Sequence, residues 1–170
     1  DRIDLGEEFS HVLVDAPCTG TGTLGRRIDS RWKFDLEARE RVRSDIEELK
    51  RMHPRQIFAR QIERQLKLLL KAATLVDHGG RVVYSTCSME PEENEKVVAR
   101  FLERRPDFTL DDASDYVPPT FVEGGFVRVL PHKHGIDGAF AARLVKMGRT
   151  PLKMEAEAKA EVMMEAEGVG

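Results

Sequence analysis

The sequence predicts an α/β fold, the second half of a doubly wound sheet that is mostly parallel with a terminal antiparallel strand pair. Apolar strand patterns alternate with amphipathic helix patterns, the order that produces parallel strands joined by crossover helices. The last two strand patterns are separated only by a glycine-containing turn, which favours an antiparallel pair. A chain of 170 residues is long enough to bury a sizeable core.

The first predicted strand runs from Phe9 to Asp15. Its three consecutive apolar residues, Val12-Leu13-Val14, favour a strand buried on both faces, and we expect His11 to be a packing residue within it. Pro17 then ends the pattern, because proline cannot donate to a sheet ladder. Ligands bind at the carboxyl ends of strands in open α/β sheets, so we expect chemistry near this point.

A long helix pattern precedes the second strand. It is defined by apolar residues spaced three or four apart: Phe58, Ile62, Leu66, Leu69, Ala73 and Val76. We expect this helix to have Pro54 in its first turn and to end at Gly79-Gly80, so that the second strand covers Arg81–Ser85. An earlier charged helix is expected between Leu36 and Leu49.

A further helix is predicted after Cys87, with Pro91 in its first turn and Arg104 near its end. Its expected buried face consists of Val97, Val98, Phe101 and Leu102. The remaining predicted strands are Phe108–Leu110, Phe126–Leu130 and Ala139–Met147. Residues 149–170 are rich in Ala, Glu, Lys and Met without an apolar stripe, and we expect a helical or disordered tail.

Composition restricts the class of protein. Hydrophobic residues make up 41% and charged residues 34%, and no apolar run approaches the ~20 residues that span a bilayer. With two cysteines and no secretory signal, we expect a reduced, cytoplasmic protein. The net charge of −3 hides a basic segment at residues 26–71, with 14 Lys and Arg against 8 Asp and Glu. This segment is either an RNA-binding surface or an ordinary solvated helix face.

The two cysteines, Cys18 and Cys87, each follow a predicted strand at its carboxyl end. Adjacent parallel strands would place them at the same edge of the sheet. The ordinary alternative is a pair of buried structural cysteines, and the residues alone do not say which thiol would be a nucleophile. No metal site is expected, because His132 and His134 lie in a turn and no Cys/His quartet has ligand spacing. Trp32 fits either a base-stacking or a partly buried role.

Two motifs carry a family resemblance. Asp-Ala-Pro-Cys-Thr-Gly at residues 15–20, followed by Ser-Thr-Cys-Ser-Met-Glu-Pro-Glu-Glu-Asn-Glu at residues 85–95, resembles the Sun/Nop-type RNA (cytosine-5) methyltransferases. The likeness continues through Arg-Val-Leu-Pro-His at 128–132 and Asp-Gly-Ala-Phe at 137–140, and it covers roughly residues 9 to 147. The family usually has two aromatic residues after Asp-Gly, whereas Ala139 takes the first position here.

The resemblance implies an S-adenosylmethionine-dependent enzyme that methylates rRNA or tRNA through a covalent cysteine–cytosine intermediate. It assigns Cys87 as the nucleophile and Cys18 as the residue that helps to release the product. It places Asp15 at the interface of cofactor and cytosine and Pro17 in the loop around the base. It also implies a Rossmann-like methyltransferase fold, of which residues 1–148 would be the C-terminal part. The upstream half with the glycine-rich cofactor loop is then an expected partner.

Two other functions are compatible with parts of the pattern. DNA cytosine-5 methyltransferases also use a Pro-Cys motif, but the motif at residues 85–95 is not expected in them. A non-catalytic RNA-binding or assembly module derived from the same fold is the second alternative, since the chain contains no glycine-rich cofactor loop ahead of Cys18.

Overall fold

The computed structural model describes residues 9–27 and 54–148, which form one six-stranded sheet with helices packed against it. The strands are β1 (Phe9–Asp15), β2 (Val76–Thr86), β3 (Phe108–Asp111), β4 (Val122–Glu123), β5 (Phe126–Val129) and β6 (Ala139–Lys146). The helices are α1 (Pro54–Ala73), α2 (Glu95–Arg104) and the single turn α3 (Pro131–His134). Within these two stretches, no helix is long and apolar enough to cross a membrane.

The strand order is β1-β2-β6-β5-β4, and β3 pairs with β6 as well. β1 and β2 are parallel, and β5 and β6 form the predicted terminal antiparallel pair. The predicted α/β fold class is thereby confirmed. β6 also runs antiparallel to β2 and to β3, so parallel pairing in the described residues is limited to β1 and β2.

The core lies between the sheet and the helices α1 and α2. Alternate residues of β2 and β6 are buried, as the two-residue repeat of a strand requires: Val82, Tyr84 and Thr86, and Phe140, Ala142 and Leu144. The helices contribute the fully buried Leu66, Leu69, Val97, Val98 and Phe101. Burying each large apolar side chain stabilises the fold by roughly 1.5–3 kcal/mol, and this core holds the ends of β1 and β2 in place.

β1 has the predicted bounds but not the predicted burial. Leu13 is 68% exposed and His11 is exposed, so the expectations of a strand buried on both faces and of a packed His11 were wrong. Val12 and Val14 pack against the core, whereas no described element covers the opposite face. Among the described residues β1 pairs only with β2, and it therefore forms an edge of the sheet.

The boundaries of two helices also differ from the prediction. α1 ends at Ala73, and Val76 is the first residue of β2 rather than part of the helix face. Gly79-Gly80 lies inside β2, where the pairing with β1 shifts register, and so does not end the helix. α2 begins at Glu95, because the residues from Pro91 onward first form a separate turn.

The predictions for β3, β5 and β6 hold to within one residue, whereas the prediction that β2 begins at Arg81 was wrong, because β2 begins at Val76. The expected buried face of α2 is confirmed for three of its residues, while Leu102 is half-buried against the core. The predictions of a helix between Leu36 and Leu49, of a role for Trp32 and of a tail at residues 149–170 concern residues outside the described ranges. Most of the basic segment at residues 26–71 also lies outside them.

Candidate active site

The carboxyl ends of β1 and β2 bring the two cysteines into contact. The strands stay in register to their last pair, Asp15 opposite Ser85, and the Cys18 and Cys87 loops begin there. The two Sγ atoms lie 3.3 Å apart, and both cysteines are free thiols in half-buried positions. The prediction that the two cysteines meet at one edge of the sheet is confirmed.

The Cys87 loop, defined here as residues 86–90, is held by neighbours in sequence and also by Thr21, whose Oγ1 accepts from the N–H of Met89 at 2.9 Å. Asn94 accepts a hydrogen bond from Thr86 Oγ1 at 2.6 Å and donates one to the carbonyl of Ser88 at 2.9 Å. The Ser88 hydroxyl accepts from the backbone N–H of Glu90 at 3.0 Å. Thr86, Ser88 and Asn94 are all buried, so these bonds are shielded from water.

The Cys18 loop, defined here as residues 16–20, is held by distant residues. The carbonyl of Pro17 accepts hydrogen bonds from Gln61 Nε2 at 2.6 Å and from Gln65 Nε2 at 2.9 Å, both on α1. On the other side of Cys18, the backbone N–H of Thr19 donates to the Glu93 carboxylate at 3.0 and 3.2 Å. Partners from two separate parts of the chain therefore fix the loop before and after the cysteine.

Gly22 joins the two loops to a third segment. Its N–H donates to the carbonyl of Cys87 at 2.9 Å, and its carbonyl accepts from the N–H of Gly138 at 2.8 Å. A Cβ at Gly22 would lie 2.7 Å from the Cys87 oxygen and 2.8 Å from the Gly138 Cα. Only glycine fits this position, and a Cβ at Gly138 would likewise lie 2.8 Å from the Cα of Gly22.

The electrostatic environment distinguishes the two thiols. Burial, together with the hydrogen bond between the thiols, raises the pKa of Cys18 well above its ordinary value. Cys18 therefore stays protonated near neutral pH, and its S–H is available to donate to the sulfur of Cys87. A thiolate at Cys87 would be able to accept a hydrogen bond from the Cys18 thiol.

The other predicted site residues lie at the same strand end. Asp15 is exposed, and its carboxylate accepts a hydrogen bond from the Ser85 hydroxyl at 3.2 Å. Pro17 is half-buried and shapes the loop through its carbonyl contacts with α1. Within residues 9–27 and 54–148, no group of His, Cys, Asp and Glu side chains has a geometry that would hold a metal ion.

The structure also contains site residues that the sequence interpretation did not identify. Gln61, Gln65, Glu93, Asn94 and Gly22 all hold the cysteine loops. The available signal in the sequence was the pair of glutamines one turn apart beside the apolar face of α1; the sequence around Glu93 gave no comparable signal.

Three comparisons place this geometry among known proteins. The model of the family described as 16S rRNA methyltransferase RsmB/F matches residues 1–145. A relative from Bacillus subtilis named probable ribosomal RNA small subunit methyltransferase B is 35% identical over 146 residues, which cover 84% of this chain and 28% of the relative.

Solved structures share the fold. The crystal structure of PH0851 superimposes on this chain with a TM-score of 0.63 at 37% sequence identity. The matched region covers 83% of this chain and 28% of the PH0851 chain. The structure of NSun6 from Pyrococcus horikoshii, solved with SFG, superimposes with a TM-score of 0.59 at 26% sequence identity. The matched region covers 84% of this chain and 31% of the NSun6 chain. The chain thus spans less than a third of the length of these proteins.

Proposed function

The chain belongs to the 16S rRNA methyltransferase RsmB/F family, and from this premise we propose that it carries the catalytic cysteines of an RNA cytosine-5 methyltransferase. The observation that carries the proposal is the contact between the two thiols, 3.3 Å apart at the carboxyl ends of adjacent parallel strands. Methylation of cytosine at carbon 5 through a covalent intermediate needs one nucleophilic thiol and a later release step. The rRNA named in the family description is the proposed substrate, with tRNA as the other candidate.

In the proposed reaction the Cys87 thiolate adds to carbon 6 of cytosine, which moves electron density onto carbon 5. Carbon 5 then takes up a methyl group and afterwards loses its proton to a base. The bond between carbon 6 and sulfur breaks, and its electron pair returns to Cys87. Cys18 assists this last step, because its protonated thiol donates a hydrogen bond to the departing thiolate.

S-adenosylmethionine is the cofactor of this family, and it supplies an electrophilic methyl group when bound. The described residues fit one side of such a site. Asp15 presents an exposed carboxylate at the end of β1, and Leu13 presents an exposed apolar side chain on the same face of that strand. Asp15 is the residue we propose to lie between cofactor and cytosine, with Pro17 shaping the loop around the base.

The uncovered surfaces suggest where the rest of the catalytic domain packs. The edge of β1 that no described strand pairs with and the exposed Leu13 both lie beside the proposed cofactor site. We propose that residues 1–148 are the C-terminal part of the domain and that an upstream half with a glycine-rich loop completes the sheet at this edge. The 170-residue chain should then bind S-adenosylmethionine poorly. A calorimetric titration of the 170-residue chain that gives low-micromolar binding of S-adenosylmethionine would contradict the proposal that an upstream half supplies part of the cofactor site.

The test of the function is the position of the methyl group. A protein that joins this chain to the upstream residues of its relatives is incubated with unmodified small-subunit rRNA and isotope-labelled S-adenosylmethionine. The RNA is digested to nucleosides, and we expect the label in 5-methylcytidine. No label is expected with Cys87→Ser, which preserves the size of the side chain but removes the thiol. Label in the ribose or in another base would contradict the proposal.

A further inference from the structure

We infer that Glu93 is a positioning residue, whose buried carboxylate holds the Cys18 thiol against the sulfur of Cys87. Glu93 is 0% exposed, and its carboxylate accepts four hydrogen bonds. Three of them come from Thr19, the residue directly after Cys18: two from the backbone N–H and one from Oγ1 at 2.5 Å. The carboxylate is thus attached to the backbone of the Cys18 loop.

The fourth hydrogen bond connects the carboxylate to the other end of the same loop. Gln65 Nε2 donates to Glu93 at 2.9 Å and to the carbonyl of Pro17 at 2.9 Å, and Gln65 is fully buried. Because both acceptors need N–H donors, the orientation of the Gln65 amide is determined, and within residues 9–27 and 54–148 its Oε1 has no hydrogen-bond partner. Glu93 and Gln65 therefore constrain the residues on both sides of Cys18.

The position of Glu93 is fixed in turn by the element that carries Cys87. The Tyr84 hydroxyl, on β2, donates to the carbonyl of Glu93 at 2.6 Å, and Tyr84 is 0% exposed. β2 runs directly into the Cys87 loop. One continuous set of buried hydrogen bonds thus links the strand before Cys87 to the backbone beside Cys18.

A buried carboxylate is a costly way to obtain stability alone, because desolvation opposes its charge and apolar residues of similar size are often as stabilising. A carboxylate does offer two oxygens that accept several donors from different directions, which suits the precise placement of a short loop. The hydrogen bonds of the Glu93 carboxylate go to Thr19 and Gln65, so its effect on the chemistry acts through the position of Cys18. The consequence for product release rests on the proposed function, whereas the placement of the thiol does not.

The test uses the rate of disulfide formation between the two thiols as a report on their placement. It does not depend on methylation. Diamide oxidises the two thiols to a disulfide, in which the sulfurs bond and the reagent takes up both hydrogens. In the 170-residue chain, Glu93→Gln should slow this intramolecular disulfide by about tenfold or more, since small misplacements of reacting groups cost large factors in rate. Glu92→Gln makes the same change at a surface residue paired with Lys96, and it should leave the rate unchanged.

Thr19→Val and Gln65→Met provide independent variants in case Glu93→Gln does not fold. Each removes part of the hydrogen bonding to the carboxylate, and each should slow the disulfide by a smaller factor. Far-ultraviolet circular dichroism confirms folding before each measurement, and the rate is taken well below the unfolding temperature. A folded Glu93→Gln with the wild-type rate would overturn the inference, as would unchanged rates in both other variants if Glu93→Gln is unfolded.

A second measurement separates this inference from the proposed function. In the enzyme joined to its upstream residues, Glu93→Gln should retain the covalent RNA adduct and lose turnover, whereas a merely structural loss would reduce both equally. If the enzyme makes no 5-methylcytidine at all, the proposed function fails while the disulfide rates still decide the role of Glu93. Equal losses of adduct and turnover in a folded variant would contradict the positioning role.

Discussion

The two cysteine loops meet at one point but are held in different ways. The Cys87 loop follows β2, which lies between β1 and β6, and it has a local set of hydrogen bonds formed by Thr86, Ser88 and Asn94. The Cys18 loop follows the edge strand β1, and it depends on Gln61, Gln65 and Glu93, which lie far away in sequence. The loop of the proposed nucleophile combines a local scaffold with contacts to Thr21 and Gly22, while the loop of its helper is held on both sides of Cys18 by residues from α1 and from the segment before α2.

The largest effect is expected where the two loops join. Gly22→Ala would place a Cβ within 3 Å of backbone atoms of Cys87 and Gly138, and backbone atoms cannot move aside cheaply. We expect a loss of about 3 kcal/mol or more in the free energy of unfolding, measured by urea denaturation. Gly25→Ala is the matched control, because a Cβ there has no atom within 4 Å. Equal stabilities of the two variants would show that the loops do not depend on this contact.

A smaller effect is expected for variants that remove the hydrogen bonds of only one of the two loops. Asn94→Ala removes both hydrogen bonds of a buried amide and should cost about 2–3 kcal/mol of stability. It should increase hydrogen exchange in the Cys87 loop more than in the Cys18 loop. Gln65→Ala should show the opposite pattern. Mass spectrometry of the exchanged peptides provides the measurement, and the same pattern in both variants would contradict separate scaffolds.

The thiols themselves should differ in reactivity by several-fold. Because burial and the bond to Cys87 raise the pKa of Cys18, its thiolate fraction is low near neutral pH and increases as the pH is raised. Iodoacetamide should therefore label Cys87 first, and labelling of Cys18 should need more alkaline solution. In Cys87→Ala the bonded partner is gone, so the pKa of Cys18 should fall and its labelling should become faster. Peptide mapping across a pH series tests this order of labelling. Faster labelling of Cys18 than of Cys87 at neutral pH would contradict it.

The difference between the loops also explains what could be predicted from sequence. The paired motifs, the bounds of β1 and the meeting of the cysteines were predictable, because strand ends and local turns leave short-range patterns. The role of Glu93 was not, because its partners are Thr19 and Gln65 and only the folded chain brings them together. The exposure of Leu13 was missed for the same reason, since an apolar run does not show which strand lies at an edge.

The smallest effect concerns RNA binding by α1, next to the Cys18 loop. Arg64, Lys67 and Lys71 are exposed on this helix and recur at helical spacing. If they contact phosphates, replacing all three by glutamine should weaken binding of single-stranded RNA and reduce the slope of log affinity against log salt by about 2. Lys96→Gln on α2 is the control, and filter binding at several salt concentrations is the measurement. An unchanged slope would show that this face of α1 does not contact RNA phosphates and is an ordinary solvated surface.

The central claim is the division of roles between the two cysteines, and covalent trapping tests it most directly. In the enzyme joined to its upstream residues, Cys18→Ala should allow attack on cytosine but stall release, so a protein–RNA adduct should accumulate as a slow band on a denaturing gel. Cys87→Ala should give no adduct and no methylation, because the first bond never forms. An adduct with Cys87→Ala and none with Cys18→Ala would reverse the roles and contradict the account.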